Sequence, residues 1–124
     1  MANAKTIGDE LVSLCREGKN LEAIDRLYAD NVVSVESVAG GGMDREMTGK
    51  QAVAGKGQWW IDNHEVHAAE VKGPFPHGEE KFAVMFNFDV TFKPESRRMK
   101  LEEVGVYEVA GGKVVREEFF YNMG

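Results

Sequence analysis

Residues 81–93 alternate between large apolar side chains and smaller or polar ones, and this pattern constrains the fold more than any other feature. One face of the segment carries six apolar residues: Phe82, Val84, Phe86, Phe88, Val90 and Phe92. The other face carries Ala83, Met85, Asn87, Asp89 and Thr91. A period of two is the repeat of a β-strand, whose successive side chains point to opposite sides of a sheet. The segment therefore predicts a long strand with one strongly apolar face.

The first half of the chain is predicted to be mainly helical. Apolar residues at helical spacing predict helices over residues 6–16 and 20–31, and a β-branched, alternating segment predicts a strand over 32–38. A third helix is predicted over 49–63. Each of its two internal glycines costs about 1 kcal/mol relative to alanine in a helix, which disfavours a helix here; the alternative is that the glycines mark close packing against a neighbour.

The second half is predicted to contain consecutive strands joined by turns. The strand candidates are 64–72, 81–93, 99–109 and 114–121. Between the first two lies the segment 73–78, whose two glycines and two prolines favour a turn. Helices followed by sequential antiparallel strands are typical of an α+β fold. Because no linker divides the chain, we expect residues 1–124 to form a single domain.

The charge of the chain limits its partners. It has 124 residues, with 15 Lys and Arg against 21 Asp and Glu, which gives a formal net charge of −6. Nucleic-acid surfaces and helices on anionic lipid both need clustered basic residues, so neither partner is expected. No apolar run approaches the roughly 20 residues of a membrane helix.

The N-terminal residues and the cysteine content favour a cytoplasmic location. The first residues, MANAK, have no apolar stretch of the kind found in a signal peptide. Cys15 is the only cysteine, which excludes an internal disulfide and fits a reducing compartment.

Four segments of the chain resemble a known family. These are GKNLEAI at 18–24, LYADNVV at 27–33, TGKQAV at 48–53 and GGKVVREEFFY at 111–121. In order and spacing they are similar to the SnoaL-like group of the nuclear transport factor 2-like superfamily, which is related to polyketide cyclases and ketosteroid isomerases. The resemblance implies a cone-shaped α+β fold, in which a strongly bent antiparallel sheet wraps around three helices and encloses a pocket. This fold serves many functions, so it does not by itself define one.

The same resemblance argues against a standard ketosteroid isomerase. That reaction uses a carboxylate base, a tyrosine and a protonated acid. The resemblance places these three roles at Ser37, near Leu11 and near Gly105, none of which has the required group. Glu36 is adjacent to the base position, and a register shift of one residue would restore a carboxylate there.

Other carboxylates are candidates for acid–base chemistry. The resemblance places the face of strand 99–109 that carries Glu103 and Tyr107 beside the pocket. Among aromatic residues such as Trp60, Phe86 and Phe88, desolvation would raise the pKa of Glu103, as a general acid or base requires. The alternative is that Glu103 forms an ion pair at the rim or that the opposite face is the inner one.

The last strand offers a further carboxylate. Glu117 and Glu118 point to opposite faces, and the resemblance favours Glu117, Phe119 and Tyr121 as the inward set. The alternative role for the inner glutamate is an ion pair with Arg116, Arg97 or Lys81.

Neither a metal nor a nucleotide cofactor is expected. The segment His64-Glu65-Val66-His67 is one residue shorter than the zinc motif H-E-x-x-H, and on a strand residues three apart face opposite sides. Each histidine is more often a hydrogen-bonded structural residue or a cation at a helix C-terminus, and the alternative role for His64 is an acid or base at the pocket mouth. The glycines between 49 and 57 do not have the spacing of a phosphate-binding loop.

Aromatic side chains are candidates for the ligand-binding wall of the pocket. The predicted set is Tyr28, Trp60, Phe86, Phe88 and Tyr121. Aromatic residues also fill cores, so packing is the alternative role for each of them.

Three functions follow as hypotheses. The first is a protein that binds a small hydrophobic molecule in a largely apolar pocket. The second is an isomerase, cyclase or dehydratase acting on a hydrophobic carbonyl compound, with Glu103, Glu36 or Glu117 as base and Tyr107, Tyr121 or His64 as donor. The third is a homodimerisation module that uses the outer sheet face. That face carries Met85, Asn87, Asp89, Val104 and Val106.

Overall fold

The computed structural model describes residues 3–122. Within that range it contains three α-helices and six strands. In chain order these are α1 (Ala4–Arg16), α2 (Asn20–Leu27), β1 (Tyr28–Val35), β2 (Glu46–Thr48), α3 (Lys50–Asn63), β3 (His64–His77), β4 (Lys81–Phe92), β5 (Arg97–Ala110) and β6 (Lys113–Phe120). The predicted α+β class is confirmed.

The strands form one mixed sheet in the order β2-β1-β6-β5-β4-β3. Four of its five pairings are antiparallel, as predicted, but β1 and β6 run parallel. Parallel neighbours need a long connection between them, and here the chain passes through α3 and four strands before β6 returns beside β1. This pairing places Ser34 of β1 next to Glu117 of β6.

The apolar face of β4 is buried, as its alternation predicts. Phe82, Val84, Phe86 and Val90 are at most 5% exposed, whereas Met85 on the opposite face is 39% exposed. Helix α1 contributes Leu11 and other apolar residues to the same core. Burial of a large aliphatic or aromatic side chain stabilises a fold by roughly 1.5–3 kcal/mol, so this layer is a major source of stability.

Helix α3 packs closely against α2 at one of its two glycines. A Cβ on Gly57 would lie 3.2 Å from Leu21 Cδ2, whereas a Cβ on Gly55 would meet nothing within 4 Å. The predicted role in close packing is therefore confirmed for Gly57 and wrong for Gly55.

Several elements differ from the prediction, and three of these differences affect the course of the sheet. Strand β1 begins at Tyr28, directly after α2, so the segment 28–31 is strand and not the end of a helix. The three-residue β2 was not predicted. Strand β3 continues to His77 through the predicted turn at 73–78. It is the edge strand of the sheet, where a register shift between Lys72 and Phe75 accommodates the glycine and proline.

Candidate functional site

A cavity of about 280 Å³ lies between α3, the segment after β1 and the first half of β5. Its apolar lining includes Trp59, Trp60, Phe92, Met99 and Leu101. Its charged or polar lining includes Glu36, Lys56, His64, Glu103 and Tyr121, with Asp44, Glu95 and Arg97 also contributing. A mainly apolar cavity with a few polar groups is the usual form of a small-molecule site.

Lys56 of α3 lies at the centre of the polar groups. Its Nζ donates to Glu36 Oε2 at 2.7 Å and to Ser34 Oγ at 2.5 Å. The Tyr121 hydroxyl donates to the other oxygen of Glu36 at 3.0 Å. Both side chains of the Lys56–Glu36 pair are less than a quarter exposed, so solvent screens this ion pair less than a surface pair. Lys56 thereby fixes β1 and the residue that follows it to α3, and Tyr121 is linked to the same group through Glu36.

The hydrogen bonds continue from Lys56 into the core. Ser34 Oγ donates to Glu117 Oε2 at 2.6 Å, and the Tyr28 hydroxyl donates to Glu117 Oε1. Ser34 and Glu117 are the two buried polar side chains among residues 3–122, with 0% and 3% of their surface exposed. A buried carboxyl is tolerated when its oxygens are hydrogen-bonded, and both oxygens of Glu117 have a donor.

Glu103 differs from Glu117 because it faces the cavity without a donor. In the described range, 3–122, no hydrogen bond or ion pair reaches its carboxyl group. Burial, and to a lesser extent the nearby charge of Glu36, raise the pKa of Glu103 to about 7 against the opposing effect of Lys56. Glu103 therefore changes charge near neutral pH, which suits a general acid or base.

Burial also raises the pKa of the other groups in this network. The pKa of Glu117 is raised by burial, while the hydrogen bonds from Ser34 and Tyr28 oppose that shift. Burial and the negative charge of Glu36 raise the pKa of Tyr121 to about 12. Tyr121 consequently carries its proton at neutral pH and acts as a hydrogen-bond donor.

An aromatic cluster forms another part of the cavity wall. The rings of Trp60 and His64 stack with centroids 4.2 Å apart, and Trp59 meets His64 edge-on at 6.2 Å. His64 Nδ1 lies 2.8 Å from the Trp60 carbonyl oxygen, which can only accept, so Nδ1 carries the hydrogen. Burial lowers the pKa of His64, so the neutral ring is favoured.

The segment after β1 reaches the cavity at Gly41. This residue has φ +62°, and a Cβ placed on it would lie 2.7 Å from the Trp59 indole. Glycine is therefore required twice, for its backbone conformation and for its contact with Trp59.

The structure brings half of the predicted site residues together at the cavity. Glu36, Trp60, His64, Glu103 and Tyr121 all line it. The other predicted residues lie in or beside the core: Tyr28, Phe86, Phe88, Tyr107 and Glu117. Phe88 still contacts the site, because its ring lies 5.3 Å from that of Trp60.

Tyr107 is in the core because the inward face of β5 runs from the cavity into the protein interior. Its ring stacks on Phe82 at 4.8 Å and is 2% exposed. It lies four positions from Glu103, a distance of roughly 13 Å along a strand. A Cβ on Gly105 would lie 2.9 Å from the Tyr107 ring, so this ring covers Gly105. Tyr107 therefore does not face the cavity.

Lys56 and Ser34 were not predicted as site residues. The sequence does contain one indication for Lys56. It lies near Val53 and Trp60 on one face of a helix, and a charged residue on a buried face needs a partner. Ser34 has the same spacing of two from Val32 and from Glu36, which places it on the inner face of β1. Neither pattern reveals that the two residues meet.

The histidine segment at the start of β3 has its residues on different partners. His67 Nε2 lies 2.7 Å from Thr91 Oγ1, whereas His64 belongs to the aromatic wall. Across residues 3–122, no group of three or more His, Cys, Asp or Glu side chains is placed to hold a metal ion.

None of the helices found in residues 3–122 has both the length and the apolar character needed to span a membrane.

Comparison with known proteins identifies the family. The sequence profile described as SnoaL-like domain matches residues 1–121. A search of curated protein sequences found no significant match. A solved structure of a candidate SnoaL-like polyketide cyclase from Mesorhizobium loti is 39% identical, with a TM-score of 0.86 over 93% of this chain and 96% of that one.

More distant structures share the fold. A candidate SnoaL-like polyketide cyclase from Jannaschia sp. CCS1 is 13% identical, with a TM-score of 0.75 over 96% of this chain and 88% of that one. A candidate isomerase from Bacillus subtilis is 15% identical, with a TM-score of 0.73 over 92% of this chain and 82% of that one. By the profile match and by its similarity to the M. loti protein, the chain belongs to the SnoaL-like domain family.

Proposed function

We propose that the cavity binds a small, mainly apolar molecule and holds one polar group of that molecule at Glu103. The observation that carries this proposal is the carboxyl group of Glu103, which lines an aromatic and aliphatic cavity without a hydrogen-bond partner in the described residues. Because this carboxyl group is partly desolvated and has no donor from the protein, a ligand that supplies a donor is favoured.

Ligand binding is tested by filling the cavity. A panel of small apolar alcohols, ketones and amines should perturb the indole N–H signals of Trp59 and Trp60 and raise the melting temperature. The variant Met99→Trp, which places a bulky ring in the lining, should abolish both effects, while Met85→Trp on the exposed outer face should retain them. A panel without any response in the wild-type protein contradicts the proposal.

The second candidate function is proton transfer on a hydrophobic carbonyl compound, as in an isomerase, cyclase or dehydratase. It is favoured by the pKa of Glu103, about 7, which allows the group both to take and to return a proton at neutral pH. In this reaction the Glu103 carboxylate takes the proton α to the carbonyl, the electron pair forms the enolate, and the new carboxylic acid returns a proton to carbon.

Hydrogen exchange tests this second function directly. In heavy water the wild-type protein should catalyse deuterium incorporation at the α-carbon of a suitable ketone, and Glu103→Gln should not. Glu102 is exposed on the other face of β5, so Glu102→Gln is the matched control and should retain exchange. Equal exchange in wild type and Glu103→Gln would exclude Glu103 as the base.

We propose further that the chain forms a homodimer through the outer face of the sheet. Met85, Val106 and Phe120 are between 37% and 50% exposed there. Val104 pairs with both Met85 and Phe120, so the apolar side chains form a continuous patch across three strands. Light scattering should give the mass of a dimer, and Val106→Glu should shift it to that of a monomer. A wild-type monomer at high concentration contradicts this proposal.

The cysteine content and the charge support two proposals on cellular context. The protein is proposed to act in the cytoplasm, because its single cysteine fits a reducing compartment, and not to bind nucleic acid, because its net charge is −6. Cell fractionation tests the first, and a gel-shift assay with mixed DNA and RNA at low salt tests the second.

A further inference from the structure

The polar end of the cavity has more acids than bases. We define this end by Glu36, Lys56 and Glu103, which line the cavity, together with the buried Glu117, which lies in the core and does not line it. The set contains three carboxyl groups and one ammonium group. Lys56 pairs directly with Glu36 and reaches Glu117 through Ser34. With all four groups ionised, the polar end carries an excess of negative charge.

The three carboxyl groups differ in how well their oxygens are satisfied. One oxygen of Glu36 accepts from Lys56 and the other from Tyr121. Both oxygens of Glu117 accept from hydroxyl groups. Glu103 has no such donor within residues 3–122. The polar end therefore lacks a hydrogen-bond donor for Glu103. A second cation would supply this donor and would also balance the excess negative charge.

We propose that the ligand carries a protonated amine on a small apolar body, with its ammonium group against the Glu103 carboxylate. This inference rests on the proposed ligand-binding function and specifies its ligand class. An ammonium ion supplies N–H donors and balances the second negative charge. An anionic ligand would instead approach a site that already has excess negative charge.

The remaining lining favours the same ligand class. Trp59, Trp60 and Tyr121 contribute aromatic rings, whose electron-rich faces attract cations in desolvated sites. At the rim, Asp44 and Glu95 outnumber Arg97. The acidic excess therefore extends from the polar end to the rim.

The charge state of Glu103 separates this proposal from binding of a neutral carbonyl compound. A carbonyl oxygen needs a donor, so it pairs with the protonated acid, whereas an ammonium ion pairs with the carboxylate. The charged or titratable groups around Glu103 are Glu36, Lys56 of α3, Glu117 of β6, His64 and Tyr121. Burial raises the pKa of Glu103 to about 7, so this group loses its proton between pH 6 and pH 8. The affinity for an amine should therefore increase over this pH range.

The experiment compares benzylamine with benzyl alcohol, which have the same apolar body and nearly the same size. Each is titrated into the full-length protein, and the indole N–H signals of Trp59 and Trp60 report binding. We expect benzylamine to bind about tenfold more tightly than benzyl alcohol at pH 8, and this preference to shrink at pH 6. Glu103→Gln should remove the preference, while Glu102→Gln should keep it.

Lys56→Met gives a second, opposite prediction. Removing the Lys56 ammonium group leaves Glu36 without its ion-pair partner and makes the polar end more negative. The preference for benzylamine over benzyl alcohol should therefore increase severalfold. The folded state of each variant is verified by its dispersed amide spectrum.

The outcomes separate the two proposals. If benzyl alcohol binds as tightly as benzylamine at pH 8, or more tightly, the amine proposal is wrong and the ligand-binding function stands. The amine proposal is also wrong if Glu103→Gln keeps the preference. If neither probe binds and the broader panel gives no response, the ligand-binding function itself fails.

Discussion

Glu103 and Glu117 are the same residue type on neighbouring strands, yet the protein surrounds them differently. Burial raises the pKa of both. Glu117 is enclosed in the core with a hydroxyl donor on each oxygen, whereas Glu103 faces a cavity and lacks a donor in the described residues. Desolvation alone therefore does not distinguish a structural carboxyl from a functional one. The distinction lies in whether the protein itself completes the hydrogen bonds.

The largest effect is expected from truncating Glu117. Glu117→Ala should lower the free energy of unfolding by about 3 kcal/mol, because it leaves the Tyr28 and Ser34 hydroxyls without their acceptor and opens a cavity. Urea unfolding measures the loss. Glu118→Ala is the matched control, since the neighbouring Glu118 is half-buried and pairs with Arg116 at 3.2 Å. It should cost about 0.5 kcal/mol. Equal losses in the two variants would show that the buried network adds no stability.

The pH dependence of stability should reveal Glu103. Its pKa in the folded protein is about 7, above its unfolded value, so the folded state binds the extra proton. The contribution of Glu103 to stability is therefore fully present below about pH 4 and is lost as the pH rises through about 7. Glu103→Gln cannot lose this contribution, so its stability relative to wild type should improve by about 2 kcal/mol between pH 5 and pH 8.

Paired urea titrations at the two pH values measure this difference. Glu102→Gln, on the exposed face of β5, should show the same pH dependence as wild type. If Glu103→Gln also tracks wild type, Glu103 titrates near its ordinary pKa and resembles a surface carboxyl.

Sequence patterns predicted most of the fold and about half of the site. Alternation in β4 correctly placed Phe82 and Val84 in the core, because an apolar face of that length has to be buried. The inward face of β6, which carries Glu117, was also predicted correctly. In β4 the period-two pattern alone specified the buried face. In β6 the pattern placed Glu117 and Glu118 on opposite faces, and the family resemblance indicated which face is inward.

The parts that were missed depend on distances between elements. Tyr107 shares a face with Glu103, but a face does not specify how far along a strand the cavity extends. The Lys56–Ser34 contact joins α3 to β1, and it depends on the angle and depth at which the helix packs. The same limit applies to β1 beside β6, a parallel pair formed across most of the chain.

The smallest effect is expected from removing single tyrosine hydroxyls, which extends the comparison to Glu36. Tyr121 donates to Glu36 at the cavity, and Tyr28 donates to Glu117 in the core. Tyr121→Phe should cost about 0.5 kcal/mol of unfolding free energy, because Glu36 is partly exposed and keeps Lys56. Tyr28→Phe should cost about 1.5 kcal/mol, because it leaves a buried carboxyl oxygen without its donor.

The ratio of these two losses, measured by urea unfolding, decides how far the core network extends. A larger loss of unfolding free energy in Tyr28→Phe would indicate that the stabilising hydrogen-bond network ends at Lys56. The groups on the cavity side of Lys56 would then contribute less to stability, because solvent can replace their hydrogen bonds. Equal losses would place Glu36 and Tyr121 energetically with the core. In that case only Glu103 could form a new hydrogen bond to a ligand without loss of stability, because the hydrogen bonds of Glu36 and Glu117 would both stabilise the fold.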